Sequence, residues 1–219
     1  MTTNESFPKF DLPVDFIADD SITGDILNYY GNFPCKIKAG VFVLCTEGMV
    51  RATINLLEIV IRKNDFIVVL PNSFIQIHEV SSDTRISFAG FSSDFMLSGN
   101  YVEILLDFMP MILNSPVISL QEDVAGLYRN VYLLLIRAYT LPHSLENKEI
   151  IRSVLAIFLQ GTKELYKRYG KKLDEPLRRE QELYRQFIQL LMVHYTKEHE
   201  VAFYAEKCGV TAAHFSSAI

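Results

Sequence analysis

Apolar and polar positions follow two different periods along this chain. Between residues 36 and 92, short apolar runs are separated by turn residues at intervals of about 8–12 positions, as in small β domains. Residues 50–55 (VRATIN) alternate strictly between apolar and polar side chains, whereas residues 66–70 (FIVVL) are continuously apolar. Turn residues such as Gly48 and the pair Pro71 and Asn72 end these runs. The pattern predicts the strands of an antiparallel sandwich or barrel.

Beyond residue 93 the apolar positions recur with the period of a helix. We therefore expect a helical region, joined to the barrel by one last strand at 116–120 and divided by a polar linker at 169–176. The predicted helices cover 101–113 (a short helix interrupted by Pro110), 121–140, 145–169 and 177–195.

The last 19 residues, VAFYAEKCGVTAAHFSSAI, predict two short helices that cross closely. Ala205 is small enough for the crossing, and Gly209 tolerates the positive φ of a tight turn. Thr211 is a suitable N-cap for the second helix, whose buried side would carry Phe215 and Ile219. The spacing favours a helix-turn-helix, and a helical hairpin that only packs is the alternative.

If the pair is a helix-turn-helix, its second helix presents Ala213, Ser216 and Ser217 to a DNA groove. The predicted fold class is therefore α+β: an antiparallel β-barrel or jelly roll followed by an all-α region that ends in a partial helix-turn-helix. We place the domain boundaries at 1–120 for the barrel, 121–172 for a helical region and 173–219 for the start of a DNA-binding domain.

Composition and charge narrow the function classes. Hydrophobic residues make up 49% and charged residues 21% of the 219 positions, as in a globular protein. Residues 1–145 hold 9 Lys/Arg and 16 Asp/Glu, and residues 146–219 hold 12 Lys/Arg and 10 Asp/Glu. The acidic first part is therefore not expected to bind phosphate groups. Three widely separated cysteines and no apolar run of about 20 residues indicate reduced thiols, a cytoplasmic location and no membrane partner.

The predicted barrel lacks the residues of a catalytic or metal site. It holds one histidine, His78, where a metal-binding barrel would bring several histidines together. Neighbouring residues on a strand point to opposite faces, so His78, Glu79 and Ser81 do not have the spacing of a catalytic triad. We expect no catalytic residues, no metal and no cofactor, and the chain is predicted not to be an enzyme.

Polar side chains on predicted strands are candidates for binding a small molecule. Arg51 and Thr53 share one strand face, and Gln76 and His78 share another. Pointing inward, the four would orient a small ligand in the mouth of the barrel. In the alternative interpretation they are solvent-facing residues of half-buried strands.

Two stretches resemble the AraC/XylS-type transcription regulators. Residues 187–219 (FIQLLMVHYTKEHEVAFYAEKCGVTAAHFSSAI) are similar to the start of their DNA-binding domain, and residues 41–74 resemble their cupin-like sensor barrel. The resemblance implies a small-molecule effector, promoter DNA as a partner and a homodimer. The alternatives are a metal-free enzyme with a cupin fold or a scaffold protein, each with a helical extension.

The helix at 145–169 carries an apolar stripe that has two interpretations. It either covers the barrel or forms half of a dimer interface, and the resemblance favours the interface. In that case Gly161 would allow the partner helix to approach closely. The residues of the stripe are Ile150, Val154, Ile157, Phe158 and Leu165.

The family domain has two helix-turn-helix units, and this sequence stops within the first. We therefore expect a piece of a longer regulator in which Phe215 and Ile219 lack partners. Residues 177–219 hold 5 Lys/Arg and 5 Asp/Glu, and Ala213, Ser216 and Ser217 cannot make bidentate base contacts. Operator binding by this chain is accordingly expected to be weak or absent, whereas the complete parent regulator is expected to bind its promoter specifically.

Overall fold

The computed structural model describes residues 9–30, 34–97, 101–140, 148–170, 179–194 and 197–218. Ten strands and eight helices lie within these ranges. The strands are Lys9–Phe10 (β1), Phe16–Thr23 (β2), Cys35–Ile37 (β3), Gly40–Glu47 (β4), Met49–Ile54 (β5), Leu57–Arg62 (β6), Asp65–Val69 (β7), Ser73–Val80 (β8), Arg85–Phe91 (β9) and Val117–Ser119 (β10). The helices are Gly24–Tyr30 (α1), Ser93–Leu97 (α2), Tyr101–Asn114 (α3), Glu122–Thr140 (α4), Lys148–Tyr169 (α5), Arg179–His194 (α6), Val201–Lys207 (α7) and Ala212–Ala218 (α8).

The strands form two five-stranded sheets. Sheet A has the order β1-β3-β8-β5-β6, and sheet B has the order β10-β7-β4-β9-β2. All pairs are antiparallel except β1 with β3, which is parallel. The α+β class is confirmed, but the closed barrel is not: in the described residues both sheets are open, because no hydrogen-bonded ladder joins the edge strands of one to the other.

Sharp corners carry the chain from one sheet to the other. Gly48, at φ 77°, leads from β4 in sheet B to β5 in sheet A, and Asn64, at φ 69°, leads back from β6 to β7. Asn72, at φ 68°, returns the chain to sheet A. Glycine and asparagine tolerate this left-handed conformation. The turns predicted from the sequence are therefore the points at which the chain passes from one sheet to the other.

A layer of apolar side chains lies between the two sheets. Sheet A contributes Val50, Ala52 and Ile54, each at most 4% exposed, and sheet B contributes Ile67 and Val69. The alternation seen in residues 50–55 is thus explained, since the apolar residues face sheet B and the polar residues face away from it.

The other face of sheet B is covered by helices. Phe42 and Phe66 from this sheet pack against Phe158 of α5, with ring centroids 5.1 and 6.3 Å apart. Tyr128 and Tyr132 of α4 close the same cluster, their rings 6.0 and 5.6 Å from that of Phe158. Sheet B is therefore buried on both faces, which explains the unbroken apolar run in β7. The predicted domain boundaries at 120 and 172 stay predictions.

Helix α3 differs from the sequence prediction, and four elements, β1, β2, α1 and α2, were not predicted. Helix α3 runs through Pro110 as one element, although an interruption was expected there. Strand β2 pairs with β9 along the edge of sheet B, and its two aspartates hide the strand pattern. Within the described residues, no helix combines the length and the apolar character needed to cross a bilayer.

Candidate functional site

The C-terminal helices α7 and α8 form a tightly closed pair. At the end of α7 the N–H of Gly209 donates to the carbonyl oxygen of Glu206 at 3.0 Å, and the N–H of Val210 donates to that of Ala205, also at 3.0 Å. This is the Schellman arrangement, which needs a left-handed residue after the helix. Gly209 has φ 69°, and a Cβ there would meet no atom within 4 Å, so conformation rather than space demands glycine.

Helix α8 begins where the sequence predicted it. The Thr211 hydroxyl oxygen accepts a hydrogen bond from the N–H of His214 at 3.2 Å, as an N-cap does. The small side chain of Ala205 is 2% exposed at the helix crossing, and Phe215 is 3% exposed on the inner side of α8. The prediction that α7 and α8 pack closely around a glycine turn is confirmed for the described residues.

Aromatic rings hold α8 in place. Phe215 meets Phe187 of α6 edge to face at 5.1 Å, and Phe187 meets Tyr204 of α7 at 5.5 Å. The Tyr204 hydroxyl donates to the backbone oxygen of Glu198 at 2.7 Å. Burial, and then the negative charge of Glu198, raise the pKa of the Tyr204 hydroxyl, so it stays a donor at neutral pH. The expectation that Phe215 lacks partners is wrong; Ile219 lies outside the described residues.

The three residues predicted to face DNA are all exposed on α8. Ala213 and Ser217 lie opposite Phe215 on the helix, and Ser216 lies beside them. The Ser217 hydroxyl donates to the backbone oxygen of His214 at 2.9 Å, so its acceptor capacity is what faces outward. His214 is also exposed, and its place on the outer side of α8 was not noted from the sequence.

Lys207 is a second exposed residue that was not predicted from the sequence. It is exposed at the end of α7, and its ammonium lies 5.8 Å from the ring centre of Phe203. A lysine in the last helical turn, held over an aromatic ring, places a positive charge next to the turn that precedes α8. The position of Lys207 next to the glycine turn could have predicted this, since a helix-turn-helix contacts the DNA backbone beside its recognition helix.

An open cleft of about 470 Å³ lies beside the same helices. Its volume falls within the range of about 300–1,000 Å³ that small-molecule sites occupy. The lining is mainly apolar, with polar residues Glu198, His199 and Ser216. The remaining lining residues are Phe187, Leu191, Val201, Tyr204 and Phe215.

The structure puts the four predicted ligand residues on the outer face of sheet A. Thr53 pairs with Gln76 across β5 and β8, and one extra residue in β8, His78, interrupts the register. This bulge leaves both His78 and Glu79 exposed. The expectation that these residues point into the barrel is wrong, because the space between the sheets is filled by apolar side chains.

Two polar contacts organise that outer face. The Thr53 hydroxyl and Nε2 of the His78 ring are 2.7 Å apart and share a hydrogen bond. Arg51 Nε lies 3.4 Å from a carboxylate oxygen of Glu79, with both side chains more than half exposed. The assignment of Arg51, Thr53, Gln76 and His78 as ligand-binding residues stays a prediction.

The cysteines do not form a reactive centre. Burial, together with the negative charge of Asp65, raises the pKa of the Cys45 thiol to about 11, and burial raises the pKa of Cys35 and Cys208 as well. A thiol in that state is a poor nucleophile at neutral pH. In the part of the chain that the structure describes, no three His, Cys, Asp or Glu side chains are grouped to hold a metal ion.

Several solved structures are similar to this chain. ToxT from Vibrio cholerae shares 11% identity over 94% of this chain and 93% of its own, at a TM-score of 0.38. The AraC-like transcriptional activator CuxR shares 9% identity over 81% of this chain and 59% of its own, at 0.44. A putative ethanolamine utilization protein from Salmonella typhimurium shares 13% identity over 36% and 55%, at 0.25.

No protein-family model matches the chain, and no curated protein matches it. Since the three TM-scores are below 0.5 and the identities below 15%, these likenesses decide neither its fold nor its function. Support for a function therefore comes from the residues of this chain and their geometry.

Proposed function

We propose that this chain is a DNA-binding transcription regulator that contacts promoter DNA through α8. The observation that carries the proposal is the closed α7–α8 pair: a glycine turn, a threonine cap and a buried Phe215 leave Ala213, Ser216 and Ser217 exposed on one helix. A helix held in this way, with its partner helix packed across it, is the arrangement that enters a major groove.

The expected affinity is low and dominated by phosphate contacts. Alanine and serine make no bidentate contact to a guanine or adenine edge, so α8 offers little direct readout of the bases. Lys207 supplies a charge beside the groove-facing helix. We therefore expect binding at or weaker than about 10⁻⁴–10⁻⁶ M at physiological salt, the range of non-specific binding.

A fluorescence anisotropy titration on the promoter fragment next to the gene tests this proposal. The double variant Ser216→Glu, Ser217→Glu puts two negative charges on the exposed side of α8 and should weaken binding by about tenfold or more. Leu56→Glu adds a charge on the exposed β5–β6 turn and is the control. Equal binding by all three proteins, or none up to about 1 mM, would contradict the proposal.

We further propose that the sheet region senses a small-molecule effector, that the protein acts as a homodimer in the cytoplasm, and that it has no enzymatic role. The raised pKa of the Cys45 thiol removes only this side chain as a candidate nucleophile. The effector proposal rests on the resemblance of residues 41–74. It has two candidate sites: the outer face of sheet A around Thr53 and His78, and the cleft beside α8.

A thermal-shift screen separates these two sites. A compound at 100 times its Kd should stabilise the protein by about 2.7 kcal/mol. If His78→Ala abolishes the shift, the compound binds sheet A, and if Val201→Glu does, it binds the cleft. If no compound of the library raises the melting temperature of the unchanged protein or of the variants, the effector proposal is contradicted.

A further inference from the structure

The outward face of α4 carries large apolar side chains. Leu127, Leu133 and Leu134 are 61%, 43% and 54% exposed, although the opposite side of the same helix is buried against sheet B and α5. Single exposed leucines are ordinary on protein surfaces, but Leu127 and Leu134 lie two turns apart on one side of this outward face, and Leu133 lies on its other side. The buried residues of α4 are Ala125, Tyr128, Tyr132 and Leu135.

Charged residues of opposite sign lie at the two ends of this face. Asp123 is exposed in the first turn of α4, Arg137 is exposed in the last, and Asn130 lies midway between them. Steps of seven residues keep a helical face almost constant, so these three side chains lie in one row with the leucines on either side. We call this row, with Leu127, Leu133 and Leu134, the α4 stripe.

We propose that the α4 stripe binds the α4 stripe of a second copy of this chain, antiparallel, about a two-fold axis at Asn130. In that register Asp123 faces the partner's Arg137. Leu127 and Leu134 lie on one side of the row, so Leu127 packs beside the partner's Leu134. Leu133 lies on the other side of the row, next to the partner's Gly126. A Cβ added at Gly126 would meet only Arg129 Nη2, at 3.6 Å, so this side of the helix is open to an incoming side chain.

Charge complementarity favours a second copy of this chain as the partner and an antiparallel arrangement of the two helices. A two-fold axis makes every contact occur twice, so one acidic end and one basic end give two ion pairs between identical chains. A parallel arrangement would instead place Asp123 against itself and Arg137 against itself, which is unfavourable. The pattern of an acid, apolar residues and a base is therefore complementary to its own reversed copy.

The apolar stripe of α5 does not compete with this interface. Phe158 and Leu165 of α5 are buried within the protomer, at 2% and 6% exposed. Gly161 serves the same packing, because a Cβ there would lie 3.0 Å from the Tyr128 hydroxyl of this chain. The expectation of a dimer interface at Phe158 and Leu165 is thus corrected: Phe158 packs against sheet B, and Leu165 belongs to the same buried cluster of the protomer. Of the other stripe residues, Ile157 is 72% exposed, and the side chains of Ile150 and Val154 lie outside the described part of the chain.

This inference rests on the homodimer of the proposed function and specifies its interface. Sedimentation equilibrium of the full chain gives the test. Leu127→Glu with Leu134→Glu should raise the dimer Kd by at least about tenfold, since charges replace apolar contacts at exposed positions that do not support the fold. Ile157→Glu is the matched control, an exposed apolar residue on the neighbouring helix, and should leave the Kd unchanged.

A charge exchange tests the antiparallel register. Asp123→Arg alone and Arg137→Asp alone should each weaken the dimer by several-fold, and the two together should restore it, because each residue then again faces its opposite charge. Absence of rescue would overturn the register. A dimer broken by Ile157→Glu but not by the leucine variants, or an unchanged chain that stays monomeric at about 100 µM, would overturn the interface. None of these outcomes alters the α8 test, so the failure of this inference and that of the proposed DNA binding are distinguishable.

Discussion

Sheet A and sheet B are built from strands of similar length but face different surroundings. In sheet B, Phe42 and Phe66 point to the helices while Ile67 and Val69 point to sheet A, so both faces are dry. In sheet A only the inner face is dry, and Thr53 and its neighbours meet solvent. A sheet with one open face tolerates polar residues at every second position, and a sheet covered on both sides does not. The comparison predicts where substitutions will be costly.

The largest effect is expected at Phe158, which covers sheet B. Its ring packs against Phe42 and Phe66 of the sheet and against Tyr128 and Tyr132 of α4. Phe158→Ala should lower the free energy of unfolding by about 3–5 kcal/mol, measured by urea denaturation. The control Ile157→Ala, one residue away and 72% exposed, should change it by less than about 0.5 kcal/mol. A loss below about 1 kcal/mol for Phe158→Ala would mean that the helices do not cover this face.

Most strands of both sheets could be predicted from the sequence, and the two sheets explain why. The alternation of residues 50–55 and the continuous run of 66–70 are direct results of one or two buried faces. Strand β2 could not be predicted, because Asp19 and Asp20 interrupt its apolar pattern. The structure accommodates these aspartates because β2 is an edge strand with a bulge, where carboxylates reach solvent. Its pairing with β9 is a long-range contact that no local pattern reports.

The site residues were predictable to different degrees. Local rules identified Gly209, Thr211 and Phe215, because a cap and a tight turn depend on neighbours in sequence. The orientation of His78 depends on a bulge in β8, and a one-residue shift in pairing is invisible in a single sequence. The exposure of the α4 stripe likewise depends on which face of α4 the sheet covers.

A second large effect is expected at Gly48, where the chain passes from sheet B to sheet A. Gly48 has φ 77°, and a Cβ there would lie 2.6 Å from Cα of Thr84. Gly48→Ala should therefore cost about 1–3 kcal/mol of unfolding free energy in thermal or urea denaturation. Gly209→Ala is the matched comparison, because its φ of 69° is similar but nothing lies within 4 Å. Equal losses would show that the corner between the sheets adds no steric cost.

Acid should weaken a contact that joins the corner between the sheets to α4. Glu122 accepts hydrogen bonds from Asn64 in the β6–β7 corner at 2.7 Å and from Arg129 at 2.9 Å, and Lys63 lies nearby. These contacts, with the bond from Asn64 first, lower the pKa of Glu122 from 4.5 to about 2. A lowered pKa means that the contribution to stability is present above about pH 4.5 and is lost as the pH falls towards 2.

Measuring the unfolding free energy from pH 7 to pH 2 tests whether stability falls with the pH as expected. Glu122→Gln should flatten the acid side of the curve, because the substituted side chain does not titrate. Asp83→Asn removes one exposed carboxylate from the turn after β8 and controls for the change in net charge. An acid slope that is the same in the Glu122→Gln variant and in the unchanged protein would contradict the assignment.

The smallest change in unfolding free energy is expected on the solvent-facing side of sheet A. Two isosteric substitutions, one in each sheet, compare this change with the change in sheet B. Thr53→Val removes the hydroxyl that lies 2.7 Å from the His78 ring, but on an exposed face water replaces the lost bond and valine suits a strand. The unfolding free energy should change by less than about 0.5 kcal/mol. The reverse substitution Val68→Thr in sheet B, at a position 1% exposed, buries a hydroxyl against the helices and should cost about 1–3 kcal/mol. Both are measured by urea denaturation at pH 7, where equal costs would mean that the outer face of sheet A is covered in solution.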